Sequence, residues 1–119
     1  MPLPFISAED SVRLQHMVEA GLAAVEFVTG VSQSDFAKDQ MRLFAVLRAL
    51  EIIGEAANKV SDELHAATPQ IEWSAMIGMR IILAHHYFDV DVNVVWEAVT
   101  EDVPRLIEEL RLLLEVGKP

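Results

Sequence analysis

The chain has 119 residues, 52% of them apolar and only 7% aromatic, with no cysteine and a formal net charge of −10. That length fits a single domain over residues 1–119, and an apolar content made mostly of Leu, Ile, Val, Ala and Met favours helices packed on helices over a β-sandwich. The composition excludes disulfides and thiolate metal sites, no apolar run approaches a membrane span, and the excess of carboxylates argues against broad electrostatic attraction to nucleic acid, so a cytoplasmic protein without membrane association is expected.

A first helix is predicted to start after Ser7, which can cap it, and to stop at Gly30. Leu14, Val18, Leu22 and Val25 give it an apolar stripe at helical spacing. The second predicted helix is long, from about Asp35 to Leu64. Phe36, Leu43, Leu47, Leu50, Gly54, Ala57, Val60 and Leu64 mark its core face, while Phe44, Val46, Ile52 and Ile53 spread apolar surface around the cylinder. Such a helix is buried on more than one side, either by its neighbours or by a second copy of the chain. A third helix should run from about Trp73, after the Pro69 turn, to His85 or Tyr87. A fourth should begin near Asn93, behind the possible cap Asp91, and reach about Val116. Pro104 inside it predicts a kink or break near Asp102. Ile107, Leu110 and Leu114 line the inner side of the last stretch. The expected architecture is all-α, an antiparallel bundle of four to five helices.

The segment that carries chemistry is Gly78-Met79-Arg80-Ile81-Ile82-Leu83-Ala84-His85-His86-Tyr87-Phe88. At about 100° per residue, Arg80 and Tyr87 fall within about 20° of one face, whereas His85 lies about 140° from Arg80. His85 can join Arg80 only if the helix end unwinds or a second subunit completes the site. Histidine titrates near neutral pH and can move a proton to or from a ribose 2′-hydroxyl, and a guanidinium can brace a phosphate with two parallel hydrogen bonds as charge builds. The bland alternative is an Arg and a His that satisfy carboxylates and the final helix carbonyls. Adjacent His85 and His86 point about 100° apart and make a poor metal pair. No metal site and no cofactor are expected. Asp89 and Asp91 are explained by turn and cap chemistry. His86 is either a second proton carrier or a helix-end residue, His16 and His65 have no assigned role, and Trp73 and Trp96 are packing anchors. Arg48, Glu51 and Glu55 form either an ion-paired seam or an outer layer that orients Arg80 or His85.

This segment resembles the signature of the HEPN superfamily, and the surroundings resemble its HepT-like branch. Four further stretches fit in order: Ile52-Ile53-Gly54-Glu55-Ala56-Ala57, Pro69-Gln70-Ile71-Glu72-Trp73, Tyr87-Phe88-Asp89-Val90-Asp91, and Val95-Trp96 through Asp102-Val103-Pro104. The resemblance implies a metal-independent endoribonuclease toxin, usually dimeric, paired with a minimal nucleotidyltransferase antitoxin. It implies RNA cleavage by Arg80 and His85, and AMPylation of Tyr87 by the antitoxin as the silencing step. Glu55, Arg48 and His86 are the candidate supporting residues. The family usually has Asn directly after the motif Arg, where this chain has Ile81. That departure, with the acidic charge, leaves open a second reading: a catalytically weak binding module for a nucleotidyltransferase partner. A dimeric scaffold bundle is the third.

Overall fold

The computed structural model describes residues 6–86 and 89–117, and regular structure among them is helical throughout. The elements are α1 Ala8–Val28, α2 Gln33–Lys38, α3 Gln40–Lys59, α4 Asp62–Ala67, α5 Trp73–His85, α6 Val92–Glu97, a π-helix Ala98–Asp102, and α7 Val103–Val116. α1 packs on α3 and α7, α3 packs on α5, and α2 sits against α3 and α6. Their facing sides share one apolar core, with Leu14, Met17, Phe36, Val46, Val99 and Leu110 among its most deeply buried side chains. This is the all-α bundle expected from the helical periodicities.

α1 starts as predicted, with the Ser7 hydroxyl accepting the Asp10 amide at 3.0 Å. Gly30 follows its end with φ of +78°, a left-handed conformation that favours glycine. The buried stripe is Leu14, Met17, Val18, Gly21, Ala24 and Val28, and Leu22 is 42% exposed. Seven residues after Leu14 a helix returns to within about 20° of it, but eight residues after it the helix has turned about 80° past. Gly21 therefore faces α7 and Leu22 faces out.

The single long helix predicted from Asp35 to Leu64 is three helices. Asp39 ends α2 and caps α3, its carboxylate accepting the Arg42 amide at 3.0 Å. Val60 ends α3, and Ser61 caps α4 by accepting the Leu64 amide at 3.2 Å. Asp and Ser compete with the helical ladder through their own side-chain hydrogen bonds, which is why the breaks fall there. The second break is fixed from outside as well. Buried Asp10 of α1 accepts the Ser61 amide at 2.9 Å and the Ser61 hydroxyl at 2.6 Å. Within this bundle Val46 and Ile53 are buried, Ile52 is half-buried, and Phe44 and Met41 stay exposed.

α5 is anchored at its first residue. The buried Trp73 indole donates to Thr68 Oγ1 at 3.0 Å, Thr68 donates in turn to the Leu64 carbonyl at 2.7 Å, and the His65 ring lies 4.7 Å from the Trp73 ring. Trp96 packs 5.3 Å from Phe36, so both tryptophans serve packing. α6 begins at Val92 behind Asp91, whose carboxylate accepts the Asn93 amide at 2.9 Å. The kink or break expected near Asp102 takes the form of the π-helix: the ladder shifts there, the Val103 amide donating to the Ala98 carbonyl, and the final helix α7 starts at Val103 with Pro104 in its first turn. Pro104 has no N–H for the Thr100 carbonyl and its ring would crowd it, and the extra residue in the π turn relieves both problems.

Candidate functional site

α5 carries the motif. Its apolar side turns inward through Trp73, Met76 and Leu83, and Arg80 lies on the same side, half-buried against α3. The two helices meet at Gly54. A β-carbon there would stand 2.6 Å from the Met76 carbonyl oxygen and 2.7 Å from Arg80 Cβ. The stem of Arg80 is thus pressed into the seam between α3 and α5. Its Nε is buried and has no hydrogen-bond partner among the described residues. Leaving such a donor unsatisfied costs about 1–3 kcal/mol, more for a charged group. The enclosed Nε cannot itself meet an outside phosphate, so the terminal guanidinium nitrogens are the ones left to brace one.

His85 is the last residue of α5 and is exposed. Its Nδ1 lies 3.0 Å from the Ile81 carbonyl oxygen. A carbonyl can only accept, so Nδ1 carries the proton and the lone pair of the neutral ring is on Nε2. The helix holds the ring in the orientation of a general base whose working nitrogen points away from its own backbone. The helix does not unwind before His85, because the His86 amide still donates to the Ile82 carbonyl at 2.7 Å. Five residues along an intact helix put His85 about 140° around the axis from Arg80. Of the two routes that could unite them, fraying before His85 is not taken within this chain.

The outward side of α5 is apolar around His85. Ile81 is 51% exposed and Ile82 54% exposed. Tyr87 and Phe88 lie outside the described residues. Beyond them, the Asp89 amide donates to the His86 carbonyl at 2.9 Å. His86 is exposed. On α3, Arg48 pairs with Glu51 at 2.6 Å, and Glu55 is exposed. Among the described residues neither Arg48 nor Glu55 hydrogen-bonds Arg80 or His85. His65 is spent on structure, with its Nε2 2.9 Å from the Ala57 carbonyl.

A cleft of about 250 Å³ opens elsewhere, between α3, α5, the π-helix and α7. Leu50, Ile53, Met76, Met79 and Leu106 give it apolar walls, and neither Arg80 nor His85 lines it. Glu72, Asp102 and Glu109 outnumber Arg105 there, and Arg105 already leans on Asp102 at 3.6 Å. That balance repels a phosphate, so the cleft is not where a nucleic acid would be cut. No motif in the sequence marks it, because its lining comes from three separate stretches of the chain. Among the described residues no group of His, Cys, Asp or Glu is arranged to hold a metal ion, and no helix is long and apolar enough to cross a membrane.

Comparison with known proteins bears on this site. A family model described as "Ribonuclease HepT-like" matches residues 6–113, which includes all of α5. The chain is 43% identical over 101 residues to a Thermococcus cleftensis protein named "Probable ribonuclease HepT", covering 82% of this chain and 92% of that one. It is 35% identical over 100 residues to a Methanocaldococcus jannaschii protein named "Putative RNase MJ1380", covering 84% and 92% of the two chains. A Caldanaerobacter subterraneus protein named "Putative RNase TTE0752" shares 33% over 105 residues, 88% of this chain and 94% of its own. No solved structure matches the chain significantly. With its all-helical bundle, its Arg80–His85 helix and a family match over nearly its full length, the chain belongs to the ribonuclease HepT-like family.

Proposed function

We propose that this protein is an endoribonuclease, the toxin of a toxin–antitoxin pair, and that its cleavage site is built from the α5 helices of two copies. One observation carries the reading: the ribonuclease family match spans the whole motif helix on which Arg80 and His85 stand. Two features support the shared site. Arg80 and His85 diverge by about 140° on an unbroken helix, and exposed Ile81 and Ile82 flank His85 with apolar surface that a second copy would cover.

In the proposed reaction His85 Nε2 takes the proton of a ribose 2′-hydroxyl. The 2′-oxygen attacks the adjacent phosphorus, the new P–O2′ bond forms, and the bond to the 5′-oxygen of the next nucleotide breaks. The leaving oxygen takes a proton from solvent water, His85 returns its proton to solvent, and a 2′,3′-cyclic phosphate remains. Arg80 stabilises the extra negative charge on the phosphate oxygens as the bond order changes. No metal takes part in these steps. Pairing two motif helices would also concentrate two arginines at one place on a chain whose formal charge is −10.

The test is cleavage of RNA by the purified protein and by Arg80→Ala and His85→Ala. Loss of a proton carrier lowers the rate by about 10²–10⁴-fold, with the helical circular dichroism unchanged. Either variant cutting as fast as the parent sinks the assignment.

The antitoxin partner in this proposal is a nucleotidyltransferase that transfers AMP to the Tyr87 hydroxyl, and the setting is the cytoplasm. Tyr87 is two residues beyond His85 in sequence. An added phosphate there would draw on the same cationic groups as RNA. Intact mass after co-expression should show AMP additions that disappear in Tyr87→Phe. Additions mapped to another residue, or toxicity neutralised with no addition, point to inhibition by binding alone. A catalytically weak binding module is the second reading. It is favoured by Ile81, an exposed apolar side chain at the position where the family resemblance leads one to expect Asn.

A further inference from the structure

We propose that Gly54 is a positioning residue for Arg80, setting the depth at which the guanidinium sits between α3 and α5; this rests on the reading of Arg80 as the phosphate-bracing group. Glycine in the interior of a helix lowers its stability relative to alanine, yet Gly54 lies well inside α3. Its φ is not in the left-handed region, so conformational freedom is not the reason. The reason is distance: the missing β-carbon would stand 2.6 Å from a backbone atom, the Met76 carbonyl oxygen, and 2.7 Å from Arg80 Cβ. Ordinary contact for such a carbon begins near 3.4 Å. Neither neighbour is the free end of a side chain that could swing aside. Adding the carbon therefore requires α5 to move by several tenths of an ångström or more, and the first side chain it carries outward is Arg80.

The other buried helical glycine, Gly21, provides the internal comparison. A β-carbon there would meet the Ile107 side chain at 3.1 and 3.2 Å and Val103 Cγ1 at 3.3 Å. Those are flexible branches on α7, and none belongs to the motif helix. The two glycines thus let helices approach at two seams, but only the α3–α5 seam holds a motif residue. The enclosed Nε of Arg80, without a hydrogen-bond partner among the described residues, is the second sign that this seam grips the stem of the guanidinium. A guanidinium whose Nε is enclosed has its direction fixed by the crevice, so the crevice depth decides where the terminal nitrogens reach.

Two readouts test this on the full chain. The first is the nitrogen-15 NMR signal of the Arg80 Nε–H, assigned by its loss in Arg80→Lys. In the parent it should exchange slowly with water, and in Gly54→Ala it should shift and exchange faster, while Gly21→Ala leaves it in place. The second is turnover of a dye-labelled random-sequence single-stranded RNA below the melting temperatures of all variants. Gly54→Ala should lower kcat on the order of 10²-fold with KM changed far less, the size expected for a misplacement of about 1 Å. Gly21→Ala should keep the parent kcat even if its melting temperature moves. The proposal is overturned if Gly54→Ala melts ~4 °C higher, as helix propensity alone would give, with the Arg80 signal unmoved. If Gly54→Ala does not fold, the parent decides: slow Nε–H exchange upholds the crevice, and exchange as fast as that of a solvent-exposed arginine overturns it. Arg80→Ala cutting as fast as the parent would instead overturn the cleavage reading, while the NMR readout still decides whether Gly54 positions Arg80.

Discussion

Thr68→Val tests how the motif helix is held. The substitution keeps shape and removes one hydroxyl that is fully buried, at 0% exposure. That hydroxyl donates to the Leu64 carbonyl at 2.7 Å and accepts the Trp73 indole N–H at 3.0 Å. The first bond is partly redundant, because the Thr68 amide also donates to the Leu64 carbonyl at 3.1 Å. Its loss costs about 0.5–1 kcal/mol. The second has no substitute, and orphaning the indole donor of buried Trp73 costs about 1–3 kcal/mol. An added buried methyl returns about 0.8 kcal/mol. The balance is a destabilisation of about 2 kcal/mol, or roughly 8 °C in melting temperature for a chain of this length. The loss concentrates at the start of α5, since Glu72 provides no side-chain cap there. Urea unfolding at fixed protein concentration gives the free energy, with Thr68→Ser as the control that keeps both hydrogen bonds. If Thr68→Val falls within about 0.5 kcal/mol of the parent while Thr68→Ser does not, the indole–hydroxyl bond is not what anchors α5.

Asp10→Ala removes two hydrogen bonds to the cap residue Ser61 from a buried carboxylate and should cost about 3 kcal/mol in the same assay; a loss under about 1 kcal/mol means that α4 is fixed by other contacts. Ile82→Glu places a charge on the exposed apolar side of α5 and should convert a dimeric parent to monomer in sedimentation, with little change in helix content. A parent that sediments only as monomer at micromolar concentration removes the shared-site proposal. Ile81→Asn replaces an exposed side chain, so stability should shift by no more than about 0.5 kcal/mol while RNA turnover rises; unchanged turnover makes the position incidental.

The sequence by itself determined the all-α class, the start of α1 at Ser7, the extent of α5 and the cap at Asp91. These are local matters, decided by apolar spacing and by side chains that reach their own backbone within three residues. It also determined the family, because five short stretches occur in a fixed order along the chain. What it could not decide was anything that depends on which distant atoms meet. The cap at Asp39 is local but hidden by an apolar pattern that runs through it, whereas the break at Ser61 is fixed by Asp10, 51 residues earlier. The form of the irregularity before Pro104, a π turn, is a ladder shift that no residue spacing announces. Arg80 and His85 were legible as chemistry, and their divergence on one helix followed from 100° per residue. The burial of the Arg80 Nε did not follow: it depends on a glycine 26 positions away on another helix. Tertiary structure decided these because close packing turns an ordinary residue into a constraint only when a particular neighbour arrives within contact distance.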